Sequence, residues 1–532
     1  MQLKVKVLSK KKKNDYIDTG KKLTNIIKTS RDIMRKDKGL SGDLDRLPML
    51  TWLMFLKFFD DMEKINKIEA EIQDETFKPI IEPPYRWRDW ASNEEGFTGD
   101  ELLSFINNDE AIRPDATRGM GLFSYLRSLQ GVNENDRRDV IASVFKGINN
   151  RMINGYLIKD VINNINSIHF DSSEEIHTLA HLYENMLREM RDAAGDSGEF
   201  YTPRPIIKFM VSVVDPKLGE TILDPAVGTG GFLVEAYEHL KQQCKTTNDF
   251  LILQKKSLFG GEAKPLPYLL CQMNLLLHGH EYPQIDFGNS LRFPLREIGE
   301  RDRVNIILTN PPFGGEEEKE ILSNFPVGLQ TTETALLFLQ LIMRKIKRKS
   351  NGNEGRCGIV VPDGTLFGSG VCARIKEQLL NEFNLHTIVR LPKGAFAPYT
   401  DIKTNLLFFN TEKKTERIWY YEHPLPTNRQ ELRNPCYTKS YPLTFDEFDP
   451  LISWWNNREE NENTWVVPIN DILKYNEKGS LLSANLDLRN PNKIDLDENI
   501  PPRKILDDIL ERETSIIELL NNLREDIDEE LV

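Results

Sequence analysis

The sequence predicts an α/β protein: a mostly parallel sheet covered by helices, with a helical N-terminal domain before it and a C-terminal helical tail after it. Three observations carry this reading. Between residues 198 and 415 short apolar runs alternate with amphipathic segments, the pattern of repeated βαβ units. Upstream, apolar residues recur at helical spacing over long stretches. Downstream, Ile509, Ile516, Leu520, Leu523 and Ile527 repeat at three- and four-residue steps between charges.

The elements follow in order. Residues 1–14 form a basic tail, read either as solvated or as touching nucleic acid. Residues 15–172 form the helical domain, in which "LDRLPMLTWLMFLKFFDDMEKINKIEAEI" (44–72) is a Gly-free apolar-periodic helix. "PPYRWRDWAS" (83–92) interrupts the helices, and amphipathic segments resume over 137–166. A linking region spans 173–197, its helix starting at a Ser cap and ending at Gly195. The sheet domain, 198–415, offers strands at 221–224, 257–262, 304–310, 357–362, 387–392 and 405–409. Residues 416–500 are Trp- and Asn-rich and read as irregular, and 501–532 as a lone amphipathic helix. Such a helix suits packing on a partner subunit or on its own chain.

At 532 residues the chain should hold two or three domains, and 39 % apolar with 28 % charged residues is a soluble globular composition. The longest apolar stretch, "PMLTWLMFLKFF" (48–59), is broken by Lys57 and too short to cross a bilayer. No apolar segment near the N-terminus suggests secretion, and the five cysteines are widely spaced without any CxxC. Neither a disulfide framework nor a metal cluster fits them, so a reducing, cytoplasmic setting without membrane contact is expected. The net charge of −13 is unusual for a protein that grips DNA unaided.

Two motifs carry chemistry. "ILDPAVGTGGFLVEA" (222–236) sets a glycine-rich turn between a strand and a helix, where Gly228, Gly230 and Gly231 allow close approach to a ligand. The dinucleotide fingerprint and the P-loop lysine are both absent. Asp224 stands instead at the strand end, able to receive a ligand ammonium, and Glu262 at the next strand end can take ribose hydroxyls. An ammonium and a ribose without a phosphate point to S-adenosylmethionine. Upstream, "SGEFYTPRPI" (197–206) gives a proline-fixed loop with aromatic faces. The second motif, "ILTNPPFGG" (307–315), places Asn310 and the Pro311 carbonyl as acceptors at a strand's C-terminal end. An exocyclic nucleobase amine is a poor nucleophile because its lone pair is delocalised into the ring. Two acceptors taking its hydrogens favour a pyramidal nitrogen. Pro311 and Pro312 fix the backbone, and Phe313 offers a stacking face to an extruded base.

These stretches together resemble the N6-adenine DNA methyltransferases, and more closely the modification (M) subunits of type I restriction–modification systems. The resemblance covers most of the chain, through "GEFYTPRPI", "LDPAVGTGGF", "GGEAKPLPYLLCQMNLLLHG", "TNPPFGG", "IVVPDGTLFG" and "LPKGAFAPYTDIKTNLLFF". It implies a Rossmann-like S-adenosylmethionine-dependent methyltransferase sheet. It implies too that Glu199, Phe200, Tyr201, Thr202, Pro203 and Arg204, with Thr229, Gly230 and Gly231, line the cofactor site around its methionine part. Asp224 and Gly228 belong to the same loop, and Glu262 holds the ribose. Asn310, Pro311, Pro312 and Phe313 match the catalytic tetrad. Asn289 stands where relatives usually carry an aspartate that contacts the cofactor's adenine amine, so weaker cofactor binding is expected. The implied partners are duplex DNA, a separate specificity (S) subunit, a second M subunit and, in the full assembly, a restriction (R) nuclease–translocase subunit. Delegating sequence reading to another chain accounts for the net acidity. Two rival readings remain at this point: methylation of RNA or a protein glutamine, and an assembly subunit without turnover.

Overall fold

The computed structural model describes residues 21–168 and 201–493, apart from 73, 75, 94–95, 132–136, 315–316, 350–353, 368, 398–399, 401, 428–434 and 439, together with Ala180, Tyr183, Leu510, Glu513 and Thr514. The basic tail, Glu199 and Phe200, nearly all of the linking helix and nearly all of the C-terminal helix lie outside the described residues.

The N-terminal region is helical, as its periodicity predicts. Its longest helix, Asp43–Ile72, buries Trp52, Leu53, Phe55, Leu56 and Phe59. Shorter helices follow at Gly99–Asn107, Arg137–Lys146 and Gly155–Asn166. The last begins where the Asn154 side chain accepts hydrogen bonds from the Tyr156 and Leu157 N–H groups, satisfying donors that a helix start leaves free. A small hairpin of β1 (Glu110–Ile112) and β2 (Arg118–Met120) interrupts the helices, with no counterpart in the sequence reading.

Nine strands form the central sheet. In chain order they are β3 (Ile222–Asp224), β4 (Leu258–Glu262), β5 (Gln284–Phe287), β6 (Ile306–Thr309), β7 (Arg356–Pro362), β8 (Asn384–Arg390), β9 (Thr404–Asn410), β10 (Arg417–Glu422) and β11 (Thr464–Pro468). Their spatial order is β11-β10-β8-β9-β7-β6-β3-β4-β5. Strands β5, β4, β3, β6 and β7 are parallel throughout, whereas β9 runs antiparallel between β7 and β8. The chain winds outward from β3 in one direction and then returns to β6 on its other side. A crevice therefore opens between the C-terminal ends of β3 and β6, the switch point at which such sheets bind ligands.

The expected irregular region beginning at residue 416 is corrected here. Strands β10 and β11 extend the same sheet, and a further pair, β12 (Leu473–Tyr475) and β13 (Leu481–Ala484), packs beyond it. Their aromatic and β-branched residues bury Tyr420 and Trp465 as a stacked pair, rings 5.1 Å apart, so the Trp content is sheet packing rather than loop.

Strand alternation splits the core. Ile306 and Leu308 join a cluster that runs through the helices Arg204–Val214 and Pro265–Leu277 into the N-terminal domain. Ile307 faces the opposite cluster with Leu336, Leu339, Ile359, Leu379 and Ile388. Both faces are covered, which is why β6 reads as an unbroken apolar run. Among the described residues no helix is long and apolar enough to cross a membrane.

Candidate active site

The switch-point crevice gathers several of the residues singled out in the sequence. Thr202, Asp224, Gly228, Thr229, Gly231 and Asn310 line one small cleft. Each arrives for a local reason. Asp224 is the last residue of β3 and Asn310 the first after β6, so neighbouring parallel strands bring them together. Thr202 and Pro203 immediately precede the helix Arg204–Val214, where Pro203 is the N-cap.

The glycine turn is built by two left-handed residues, Gly228 at φ 53° and Gly230 at φ 81°. Gly230 caps the helix Gly231–Lys241, whose first N–H groups lack intrahelical partners. A Cβ on Gly230 would sit 2.8 Å from Cys271 Sγ, so the position excludes side chains for space as well as for backbone conformation. Asn274 Nδ2 donates to the Thr229 carbonyl at 2.9 Å and holds the turn from behind.

Asp224 is only 1 % exposed. Its Oδ1 accepts from Thr309 Oγ1 at 2.7 Å and from the Ala226 N–H at 3.1 Å. Burial, with the nearby Glu262 charge adding to it, pushes its carboxyl up to about 7. A carboxylate so desolvated gains from a cationic ligand. Thr309 is a site residue that the sequence reading passed over, although its signal was available: a hydroxyl inside the apolar run of β6.

Glu262 ends β4 as expected, and both its oxygens already hold backbone. Oε2 accepts from the Gly228 N–H at 3.0 Å and Oε1 from the Lys264 N–H at 2.8 Å, so the residue also braces the glycine turn. Burial holds its carboxyl above the ordinary glutamate range. Arg204 points away from a ligand role: Nη1 donates to the Gly231 carbonyl at 3.0 Å, and burial lowers its pKa to about 10, leaving it cationic at neutral pH. Asn289 is engaged on both sides. Its Oδ1 accepts from the Leu291 N–H at 2.9 Å, and its Nδ2 donates to Glu317 Oε2 at 3.3 Å. Glu317, just past the tetrad, was not foreseen.

The tetrad starts at the crevice, which Asn310 lines. Asn310 Nδ2 donates to Thr202 Oγ1 at 2.9 Å, while Asn310 Oδ1 is buried without a partner. Pro311 is buried, and Pro312 and Phe313 are half-buried. The Phe313 ring meets Phe396 edge-on, centroids 5.6 Å apart at 74°. Phe396 belongs to the quoted "LPKGAFAPYT" stretch, where its sequence signal lay.

A buried titratable carboxyl, a glycine cradle at a helix start and an orphaned amide oxygen share one cleft, and a carboxyl at the adjacent strand end is bonded to the cradle. That donor set fits a small cationic, ribose-bearing cofactor beside an amine acceptor. The comparisons with known proteins give the family. The profile described as HsdM N-terminal domain matches residues 23–165, and that of N-6 DNA Methylase matches residues 174–482. The chain is 45 % identical over 513 residues to the EcoEI methylase subunit of a type I restriction enzyme from Escherichia coli, covering 94 % of this chain and 97 % of that one. It matches the crystal structure of a modification subunit assigned to a type I restriction enzyme of Vibrio vulnificus YJ016, with TM-score 0.83 and 64 % identity over 90 % of this chain and 99 % of that one. A chain from structural work on complex assembly and conformational transition of the type I R-M system matches with TM-score 0.74 and 39 % identity, covering 95 % and 98 %. The chain belongs to the N-6 DNA methylase family, as a methylase subunit of type I restriction enzymes, and is a DNA methyltransferase.

Proposed function

We propose that the chain transfers a methyl group from S-adenosylmethionine to the N6 amine of an adenine extruded from duplex DNA. It does so as the M subunit of a complex in which a separate S subunit reads the sequence, a second M subunit is present and an R subunit can join. The observation that carries this is the state of Asn310, whose amide is tethered through Nδ2 while its oxygen is buried and unpaired beside Asp224.

When bound, the cofactor supplies an electrophilic methyl on a sulfonium. Every other function falls to the chain. Asp224 offers its carboxylate to the cofactor's ammonium, and Gly228 to Gly231 allow its methionine part to lie against backbone. Glu262 sits at the next strand end for the ribose, and its grip on the Gly228 N–H couples that contact to the turn. Thr202, between Tyr201 and Pro203, supplies a further part of the lining, while Glu199 and Phe200 lie outside the described residues. At the acceptor, Asn310 Oδ1 and the Pro311 carbonyl take the two amine hydrogens. The nitrogen lone pair is drawn out of conjugation and aimed at the methyl. Because the two prolines hold these acceptors in place, little reorganisation accompanies charge development. Once methylated, the amine would give up to water one of the two protons held by these acceptors. In-line placement supplies most of the rate, and no His/Asp pair is needed. Phe313, backed by Phe396, gives the flipped base a stacking surface.

Asn310→Ala tests the reading. Methylation of duplex DNA by the chain with its S subunit should fall below detection while S-adenosylmethionine affinity, measured by calorimetry, stays within about threefold, since the substitution removes an interaction made at the acceptor. Surviving activity would overturn the assignment.

A further inference from the structure

Asn310 carries two chemically opposite groups on one planar amide, and only one of them can serve an amine acceptor. With Oδ1 forward the amide accepts from the amine. With Nδ2 forward, donor faces donor and the contact is repulsive. The terminal torsion of an Asn side chain is broad and roughly two-fold, so the backbone alone does not choose between these states. A partner must hold the amide still, and Thr202 is that partner: its Oγ1 accepts from Asn310 Nδ2 at 2.9 Å, across 108 residues of sequence.

We infer, on the reading proposed above, that Thr202 is the positioning residue that tethers the Asn310 amide at the acceptor site, rather than only a wall of the cofactor site. Three features support it. The threonine is held by its own backbone: the following Pro203 caps the helix Arg204–Val214, and its carbonyl accepts from the Ile206 and Ile207 N–H groups at 3.1 and 3.2 Å. Its side chain is β-branched and therefore stiff at χ1, so the oxygen stays where the helix start places it. With Nδ2 tied to this hydroxyl, Asn310 Oδ1 is left buried and unpaired, the one orientation in which it can receive a hydrogen bond from the acceptor. A hydroxyl serves here where a methyl would not, because only the oxygen can hold a polar end of the amide by a hydrogen bond.

The test uses the full chain with its S subunit and duplex DNA carrying the target site. Thr202→Val keeps the shape and removes the acceptor, whereas Thr202→Ser keeps the acceptor and loses a methyl. Single-turnover methyl transfer at saturating cofactor should slow by about tenfold to a hundredfold in Thr202→Val, with the cofactor Kd and the DNA KM each within about threefold of the parent. Thr202→Ser should recover the rate to within about threefold. Thr202→Ala provides a second removal of the hydroxyl should the valine variant fail to fold, and the same slowing is expected of it. A full rate in either hydroxyl-free variant would overturn the inference. So would a defect confined to cofactor Kd, which would make Thr202 a cofactor contact, or equal slowing in the serine variant, which would make the methyl the important group. Asn310→Ala separates the two levels: if it abolishes transfer while Thr202→Val does not slow it, the positioning role fails and the proposed function stands.

Discussion

Asp224→Asn should flatten the pH dependence of cofactor binding, and the size of the change follows from where the carboxyl sits. Asp224 is 1 % exposed, and burial raises its pKa to about 7, against the pull of the Thr309 and Ala226 hydrogen bonds. Only about a tenth of such a carboxyl is ionised at pH 6, and about three-quarters at pH 7.5. If the ionised form receives the cofactor's ammonium, affinity rises about eightfold between those values, or about 1.3 kcal/mol. Above pH 8 the gain reverses, because an α-amino group titrates near that value and the ligand loses its own charge. Calorimetric titration with S-adenosylmethionine across this range, in buffers of differing ionisation heat, would show a maximum near neutrality and proton release on binding at pH 6. In Asp224→Asn the low-pH limb should disappear, and affinity at pH 7.5 should fall about tenfold to a hundredfold with the loss of a charge-assisted contact. The folded protein without cofactor should respond in the opposite sense. A carboxyl whose folded pKa lies above its unfolded value of about 4 holds its proton more tightly when folded. The stability it contributes is therefore present below that unfolded value and is lost as pH rises toward 7. Asp224→Asn should consequently melt above the parent at pH 7.5. A parent enzyme whose cofactor affinity is flat from pH 6 to 7.5 would refute the assigned partnership.

Three further outcomes are expected. Gly230→Ala forces a side chain into the left-handed region and 2.8 Å from Cys271 Sγ, so chemical denaturation should show a loss of about 2 kcal/mol or more, with weakened cofactor binding. Phe313→Ala removes the stacking face and should raise the DNA KM about tenfold to a hundredfold, with a parallel loss of fluorescence change when 2-aminopurine replaces the target base. Asn289→Asp should weaken cofactor binding here, because a carboxylate would replace the amide that donates to Glu317 at 3.3 Å. Calorimetry on Asn289→Asp with Glu317→Gln should show the affinity restored.

The parts of the fold visible in the sequence are those whose burial is two-sided. Strands β3, β4, β6, β7 and β9 are short apolar runs because helices cover both faces, and each was found within a residue or two. The edge strand β5 was missed because only Ile285 of its four residues is buried. Strands β10 and β11 were missed because Trp419, Tyr420, Tyr421 and Trp465, which pack within the sheet, resemble loop aromatics when read without partners. The candidate site divides in the same way. Strand-end position and residue type pointed to Asp224, Glu262 and Asn310. The bonds from Thr309 to Asp224 and from Asn310 to Thr202 join residues 85 and 108 positions apart, and the Asn289–Glu317 bond joins residues 28 apart, so no local pattern encodes them.

The helix Pro265–Leu277 leaves the chain without a seam. Every residue from Pro267 to Leu277 is buried. One side of the helix packs on Asp43–Ile72, while Cys271 and Asn274 press against the glycine turn. A fragment beginning at residue 201 would expose this helix to water and loosen the turn it supports. Transplanting the catalytic half to another scaffold therefore means transplanting the N-terminal domain with it.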